Sequence, residues 1–408
     1  MRGPLQWIAI AVALLAPFPY LESRPLEISG GFESADLTEH ISTLEDPGCP
    51  DLDKVQNVSK EAWKGGHVRP PHFGYAKTCV WTSFSLESKD FEGHLFLESR
   101  TPFVDSITLY CQNGNGWSTA IAGDVHLFTE RVLMHRFPNF RIYVPANASI
   151  PCYLRTQSNG LIVVPLVLRT LQNTLNSSLT EYAFFGFFFG AMLVLILYNA
   201  LVLFFTRMAP YLWLCLCGLF LAMTLSLQTG FLVQFIFVEN AWISNALTLI
   251  SSSGFAMSAF YFGRSSMVLG GATLHLRDAL YFGVLAALLG FGFFVSFHIA
   301  AIIVNLSLIL VMGLNVWRGI RGVRQNLFAF PYFFAGWLLG LVSTVVTVLY
   351  NLGVPFLDAH TALGFITAAT ISEGLFFTYA LSRLRETKSR IRQVTLDLHR
   401  DRGSSRLW

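Results

Sequence analysis

Between Lys89 and Lys388 the sequence contains no lysine, and only 13% of its residues carry a formal charge. A Schiff-base linkage needs a side-chain amine, so the missing lysines exclude a retinal-type pump across that stretch. The 10 histidines are scattered, without the His-Glu-x-x-His spacing that sets two ring nitrogens on one helical face. There is no paired Cys-x-x-Cys, and Cys215 and Cys217 stand too close together for the usual zinc spacing. No phosphate-binding Gly-rich loop, Gly-x-Ser-x-Gly elbow or kinase signature is present. These absences lead us to expect no enzyme, no metal and no cofactor. The net charge is only +3, and its excess arginines border apolar runs, where anionic headgroups account for them; nucleic acid is not an expected partner.

What the chain has in abundance is apolar residues, 53% of the total with 37 Phe. Seven stretches, 183–205, 210–231, 241–262, 278–297, 299–317, 329–350 and 361–382, approach the roughly 20 apolar residues that cross a bilayer core. The loops after the first, third and fifth carry Arg207, then Arg264 and Arg277, then Arg318, Arg321 and Arg324. The loops after the second, fourth and sixth carry no Lys or Arg, and two of them hold Glu239 and Asp358. Basic loops stay cytoplasmic, so the residues before 183 are expected outside and the tail inside.

An export signal fits that topology. Residues 1–25 read as a signal peptide, with Arg2, an apolar run over 7–16, and then Pro17 and Pro19; an uncleaved anchor is the alternative. Residues 26–175 change character, with β-rich runs at 78–86, 93–98, 106–111, 118–122, 140–144, 152–156 and 161–168. The Asn113-Gly114-Asn115-Gly116 segment supplies residues tolerant of positive φ for a hairpin turn. Short strands at this spacing predict a β-sandwich or jelly roll, followed by an all-α bundle of seven membrane helices over 183–383. Cys49, Cys79, Cys111 and Cys152 lie in the exported part, where disulfides are permitted. Two bridges in any of three connectivities, or free buried thiols, fit the sequence equally.

The residues then resemble a known family, the bacterial seven-transmembrane receptors with diverse intracellular signalling modules, with their type-two extracellular domain. The resemblance rests on Gly74-Tyr75, Trp81 with Phe84, Leu109-Tyr110, Gly123-Asp124, Arg131, Tyr153-Leu154-Arg155 and Pro165-Leu166, in that order. In the membrane part it rests on Phe185-Gly186, Gly190, Tyr198-Asn199, Tyr211-Leu212, Gly353-x-Pro355, Ser372-Glu373 and Ala380-Leu381. It implies a jelly-roll sensory domain related to carbohydrate-binding modules and a receptor in a bacterial inner membrane. Members usually continue into an output domain, whereas residues 384–408 form only a short tail; a separate cytoplasmic signalling protein is the expected partner.

Sugars are held by aromatic faces with polar groups at the rim, which singles out Trp81, Tyr110, Trp117, Asp124 and Arg131 as ligand candidates. Against that stand core roles for Trp81 and Tyr110, and a structural ion pair between Asp124 and Arg131. Within the spans, Asn199, Gln228, Asn305 and Glu373 are costly to bury in lipid and belong in a bundle interior. Asn199 and Glu373 are the relay candidates, with a static interhelical bond as the plain alternative. Small-residue runs at Gly186 with Gly190 and at Ser251–Gly254 suit close helix approach first and a homodimer second. Arg318, Arg321, Arg324 and Arg385 are candidates for partner or lipid contact. Residues 383–406 hold eight basic side chains against three acidic ones, with Leu384, Ile391 and Leu398 at heptad spacing. A non-signalling scaffold, an envelope-binding protein or a truncated receptor remnant remains the alternative reading. A transporter ranks below these, since the spans show no internal repeat.

Overall fold

The computed structural model describes residues 23–46, 48–74, 79–114, 116–158, 160–236, 241–267, 297–325, 329–351 and 359–404. The expected signal segment and the fourth expected span, 278–297, lie outside these residues apart from their last few positions. So do Arg277, Glu239, Asp358 and the Gly353-x-Pro355 motif.

Among the described residues, twelve strands build the extracellular domain: β1 (Leu26–Ile28), β2 (Ser34–Asp36), β3 (Ser42–Asp46), β4 (His72–Gly74), β5 (Cys79–Ser88), β6 (Gly93–Ser99), β7 (Ser106–Asn113), β8 (Gly116–Ala122), β9 (Asn139–Val144), β10 (Ser149–Gln157), β11 (Ile162–Val163) and β12 (Leu166–Arg169). One sheet runs β1-β5-β10-β7-β8 with β3 also on β5; the other runs β2-β12-β6-β9; β4 and β11 form a small third pair. Alternation explains the sandwich. Along β10, Ile150, Cys152, Leu154 and Thr156 point inward and are buried, whereas Pro151, Tyr153, Arg155 and Gln157 point out. The inward set meets Leu95, Leu97, Phe140, Ile142, Leu166 and Leu168 of the opposite sheet in one apolar core.

The strand expected at 161–168 is in fact two. Pro165 has no N–H for a ladder, and β11 pairs with β4 while β12 pairs with β2 and β6. The helix α1 (Leu52–Gln56) lays Leu52 and Val55 on Trp81. Two disulfides form, Cys49–Cys79 and Cys111–Cys152, and the second joins residues directly opposite on β7 and β10.

Among the described residues, the membrane part contains α2 (Leu171–Thr206), α3 (Ala209–Gln228), the short α4 (Phe231–Ile236), α5 (Ala241–Met267), α6 (Phe297–Arg324), α7 (Phe330–Asn351) and α8 (Ala359–Ser404). Among the described residues, six helices are long and apolar enough to cross a membrane. At 1.5 Å per residue α2 is about 54 Å long, well beyond a core of about 30 Å, so its first turns stand outside. Thr170 caps it, its hydroxyl accepting from Asn173 N at 3.3 Å. Phe187, Val194, Leu197, Leu201 and Phe204 on α2 are exposed and lipid-facing. The helices pack through Phe262, Phe333, Trp337 and Phe377, with the Trp337 and Phe377 rings 4.6 Å apart. Gly254 accommodates the Phe220 ring, whereas a side chain at Gly186 or Gly190 would meet nothing within 4 Å in this chain.

Candidate functional site

Three of the five ligand candidates share one surface. Period-two alternation puts Trp81 on β5, Tyr110 on β7, Tyr153 on β10 and Trp117 on β8 on the outer face of the larger sheet, where cross-strand registers bring them side by side. Trp81 is fully buried beneath α1 and stacks on Tyr110 at 5.8 Å. Trp117 is 38% exposed and meets Tyr153 edge-on at 5.6 Å, with Trp63 on the other side of Tyr153 at 6.1 Å. Arg155, opposite Trp81 on β10, lies 5.9 Å from the Trp81 ring. The surface is an aromatic platform with a buried indole as its base and Trp117 as its open edge.

Asp124 and Arg131 lie elsewhere and do not form the expected ion pair. Arg131 donates through Nη1 to the carbonyls of His135 (2.8 Å) and Arg136 (3.0 Å), and its guanidinium covers the Phe128 ring at 4.6 Å. Asp124 Oδ1 is buried without a hydrogen-bond partner. Burial, then repulsion from Asp105, pushes its carboxyl up to about 7 despite the nearby Arg131. Burial also brings Arg131 down to about 10. Gly123 before it has φ +148°, and a Cβ there would lie 2.2 Å from the Asp105 carbonyl oxygen, so the Gly-Asp pair marks a close backbone approach. The 131–138 loop is further closed by Asn139, which accepts from Leu133 N and donates to the carbonyls of Leu133 and Phe137.

That braced loop presents Arg136 to the membrane helices, and here the structure contains a site that the sequence did not reveal. Arg136 Nη2 and Arg100 Nη2 donate to the two carboxylate oxygens of Glu181, near the outer end of α2. Arg136 Nη1 also donates to the Thr229 carbonyl at the end of α3, 2.8 Å away. Its guanidinium is enclosed by the rings of Phe137 (4.3 Å), Phe231 (4.7 Å) and Phe185 (5.0 Å). Gln234 of α4 donates to Tyr182 OH at 2.9 Å and to the Met134 carbonyl at 3.4 Å. Gly230, at φ +79°, lets Pro102 sit so near that a Cβ would lie 2.6 Å from it. The Arg136 side chain is 4% exposed, and burial, partly offset by Glu181, lowers its pKa. His135, against Tyr182, falls to about 4 through burial and then Arg136. Beside the cluster, Glu98 accepts from Arg169 at 2.7 Å; burial raises its pKa against the pull of Arg169 and Arg100. The result is a desolvated ionic joint between the sandwich and two or more helices.

Inside the bundle, the four polar residues noted in the sequence converge. Asn199 Nδ2 donates to Thr378 Oγ1 at 2.9 Å, joining α2 to α8. Asn199 and Glu373 line one cavity; Gln228, Asn305 and Glu373 line a second. On the other side of the bundle Arg318 is not a free cytoplasmic contact. Its Nη1 donates to Asn315 Oδ1 (2.8 Å) and the Phe260 carbonyl (3.1 Å), because the side chain folds back along α6 onto α5. Arg321, Arg324 and Arg385 are exposed.

Residues 38–170 match the family model described as 7TMR-DISM extracellular 2, and residues 181–383 match the one described as 7TM diverse intracellular signalling. The chain belongs to the 7TMR-DISM family. It is therefore a membrane sensory receptor with an extracellular domain, and the lipid bilayer is one of its partners. The receptor is also similar to a solved structure, TmCBM61 in complex with beta-1,4-galactotriose, at 9% identity and TM-score 0.19, covering 35% of this chain and 90% of that one. No curated protein matches the chain. The ionic joint falls where the two family regions meet, with Arg100 and Arg136 in the first and Glu181 as the first residue of the second.

Proposed function

We propose that the receptor binds a small saccharide-like ligand on its aromatic platform and relays that state through the Glu181 joint to a separate cytoplasmic partner. The observation that carries the relay is the sharing of one carboxylate by two arginines of the sandwich, one of which also holds the end of α3. Removing a partner from such a pair leaves an uncompensated buried charge, so the sandwich and helices move as a unit or the joint opens outright. A ligand shifts that balance only by its different affinity for the closed and open joint.

The platform suits a sugar because ring C–H faces stack on indole and phenol faces while Arg155 and Gln112 supply hydrogen bonds at the edge. Trp117 is the residue we assign to direct contact; Trp81 and Tyr110 support it. Asp124 and Arg131 shape the loop of the joint and do not touch ligand. In this reading the protein is not an enzyme, sits in a bacterial inner membrane with its C-terminus in the cytoplasm, and offers Arg321, Arg324 and Arg385 to its partner.

The test uses the full chain in lipid nanodiscs against a panel of oligosaccharides, with wild type and Trp117→Ala compared. Saturable binding that weakens at least ten-fold in the variant supports the assignment; no binding across the panel, or binding indifferent to Trp117, rejects the saccharide part.

A further inference from the structure

Glu373 is an acid with 8% of its surface exposed, near the middle of the bundle. Its carboxylate lies against α7 at Gly340, where a Cβ would be 3.1 Å from Oε2, so glycine at 340 makes room for it. It faces two cavities, of about 60 and about 100 Å³, enough for an ion with some water.

Three threonines on the wall of the larger cavity have their hydroxyl hydrogens already committed. Thr344, Thr347 and Thr370 each give their hydroxyl hydrogen to a carbonyl one turn back, at 2.8, 2.9 and 2.8 Å. What they turn toward the cavity is therefore oxygen lone pairs. Asn305 and Gln228 add carboxamides and Ser252 and Ser343 add hydroxyls, and among the described lining residues neither space has a Lys or Arg. On the smaller side, Asn199 is 3% exposed, spends its amide hydrogens on Thr378 and the Leu195 carbonyl, and leaves Oδ1 unpartnered. A buried carboxylate beside the Asn199 oxygen and these threonine lone pairs attracts a hard cation. One negative charge is balanced by one positive charge; a divalent ion would leave a net charge in the bundle interior, where an unpaired charge is costly.

We propose that the Glu373 cavity is a binding site for a monovalent cation of the sodium type, reached from the extracellular side. Gln228, exposed at the outer end of α3, forms its mouth, and the next residue, Thr229, is the one whose carbonyl Arg136 holds. Ion occupancy and the ionic joint thus share the end of one helix. The proposal stands on the bundle geometry and is independent of the ligand reading above.

The experiment measures ²²Na⁺ binding to the full chain in nanodiscs at pH 8, with N-methylglucamine as the replacement cation and Li⁺ and K⁺ as competitors. The expected result is one saturable site per chain, with affinity reduced at least ten-fold by Glu373→Gln and several-fold by Thr347→Val. Because the wild-type measurement stands alone, misfolding of a variant does not rescue the idea. Absence of saturable wild-type binding overturns it, as does binding unchanged in both variants. Thermal stability that follows pH but ignores Na⁺ would assign the carboxylate to a proton and equally overturn it.

Discussion

Replacing Glu181 by Gln asks whether the sandwich and the helices are one mechanical unit. The amide keeps the shape of the carboxylate, so the loss is electrostatic. The Arg136 and Arg100 side chains are 4% and 13% exposed, and neither regains its hydration when the charge disappears. Breaking a buried pair from one side costs about 3–5 kcal/mol. Glu181 is itself 18% exposed, and Arg136 keeps the Thr229 carbonyl and three rings, so the lower end, about 3 kcal/mol, applies. At about 1.4 kcal/mol per factor of ten this is roughly a 150-fold rise in the opening constant of the joint. Amide hydrogen exchange of the chain in nanodiscs reads that opening directly, at residues 229–236 and 131–139, with β5 and β10 as internal controls. Arg136→Met alone and combined with Glu181→Gln completes a double-mutant cycle. Exchange that rises less than three-fold at both segments, or single effects that simply add, refutes the reasoning.

Four further outcomes follow from the same structure. Gly230→Ala forces a side chain onto Pro102 at a positive φ, and should raise exchange at 229–236 while leaving β5 and β10 protected; unchanged exchange would mean that the turn is not a tight contact. Trp81→Ala opens a cavity under α1 and should cost about 3–5 kcal/mol in denaturant unfolding of the sandwich, whereas Trp117→Ala should cost clearly less, about 1–3 kcal/mol, since that ring keeps 38% of its surface exposed. Replacing Cys111 and Cys152 by Ser removes a cross-link of 41-residue separation and should lower stability by about 4 kcal/mol on the chain-entropy account; equal unfolding with and without reductant argues against that bridge. For pH, the carboxyl of Asp124 titrates at about 7 in the fold against 3.8 in the open chain, so its contribution is present at low pH and lost as pH rises through 7. His135 works oppositely, at about 4 in the fold against 6.5, with stability lost as pH falls from 6.5 toward 4. The two slopes oppose each other between pH 4 and 6.5, and Asp124→Asn should unmask the His135 slope there; identical pH profiles for wild type and variant would contradict the assignment.

What could be read from the sequence was whatever is local and repetitive. Spans 183–205 and 329–350 stand out because length and hydropathy alone define a membrane helix; Trp81, Tyr110 and Trp117 stood out as aromatics in strand-like runs, but their common face emerges only from the sheet order, in which β10 lies between β5 and β7. Glu373 was visible as a charge inside an apolar run. Strands β1 and β2, of three residues each, are too short for alternation to be distinctive, and Pro165 splits 161–168 although its composition reads as continuous. The joint was hidden for a different reason. Arg100 and Arg136 sit in irregular loops 81 and 45 residues from Glu181, and no local pattern links three such positions. The available hint was an acid two residues before an expected span, where headgroup chemistry gives no reason for one. Arg318 misled in the opposite sense, since α6 continues past the expected span end and lets the side chain bond Asn315 and the Phe260 carbonyl of the neighbouring helix.

The central claim is that the state of the extracellular joint reaches the opposite ends of the helices. It is tested most directly by a spin-label distance between Val323 on α6 and Arg385 on α8, measured in nanodiscs for the wild-type background, Glu181→Gln and Trp117→Ala. The account predicts that Glu181→Gln shifts or broadens the distribution while Trp117→Ala, without ligand, leaves it in place. Superimposable distributions for the wild-type background and Glu181→Gln would contradict it.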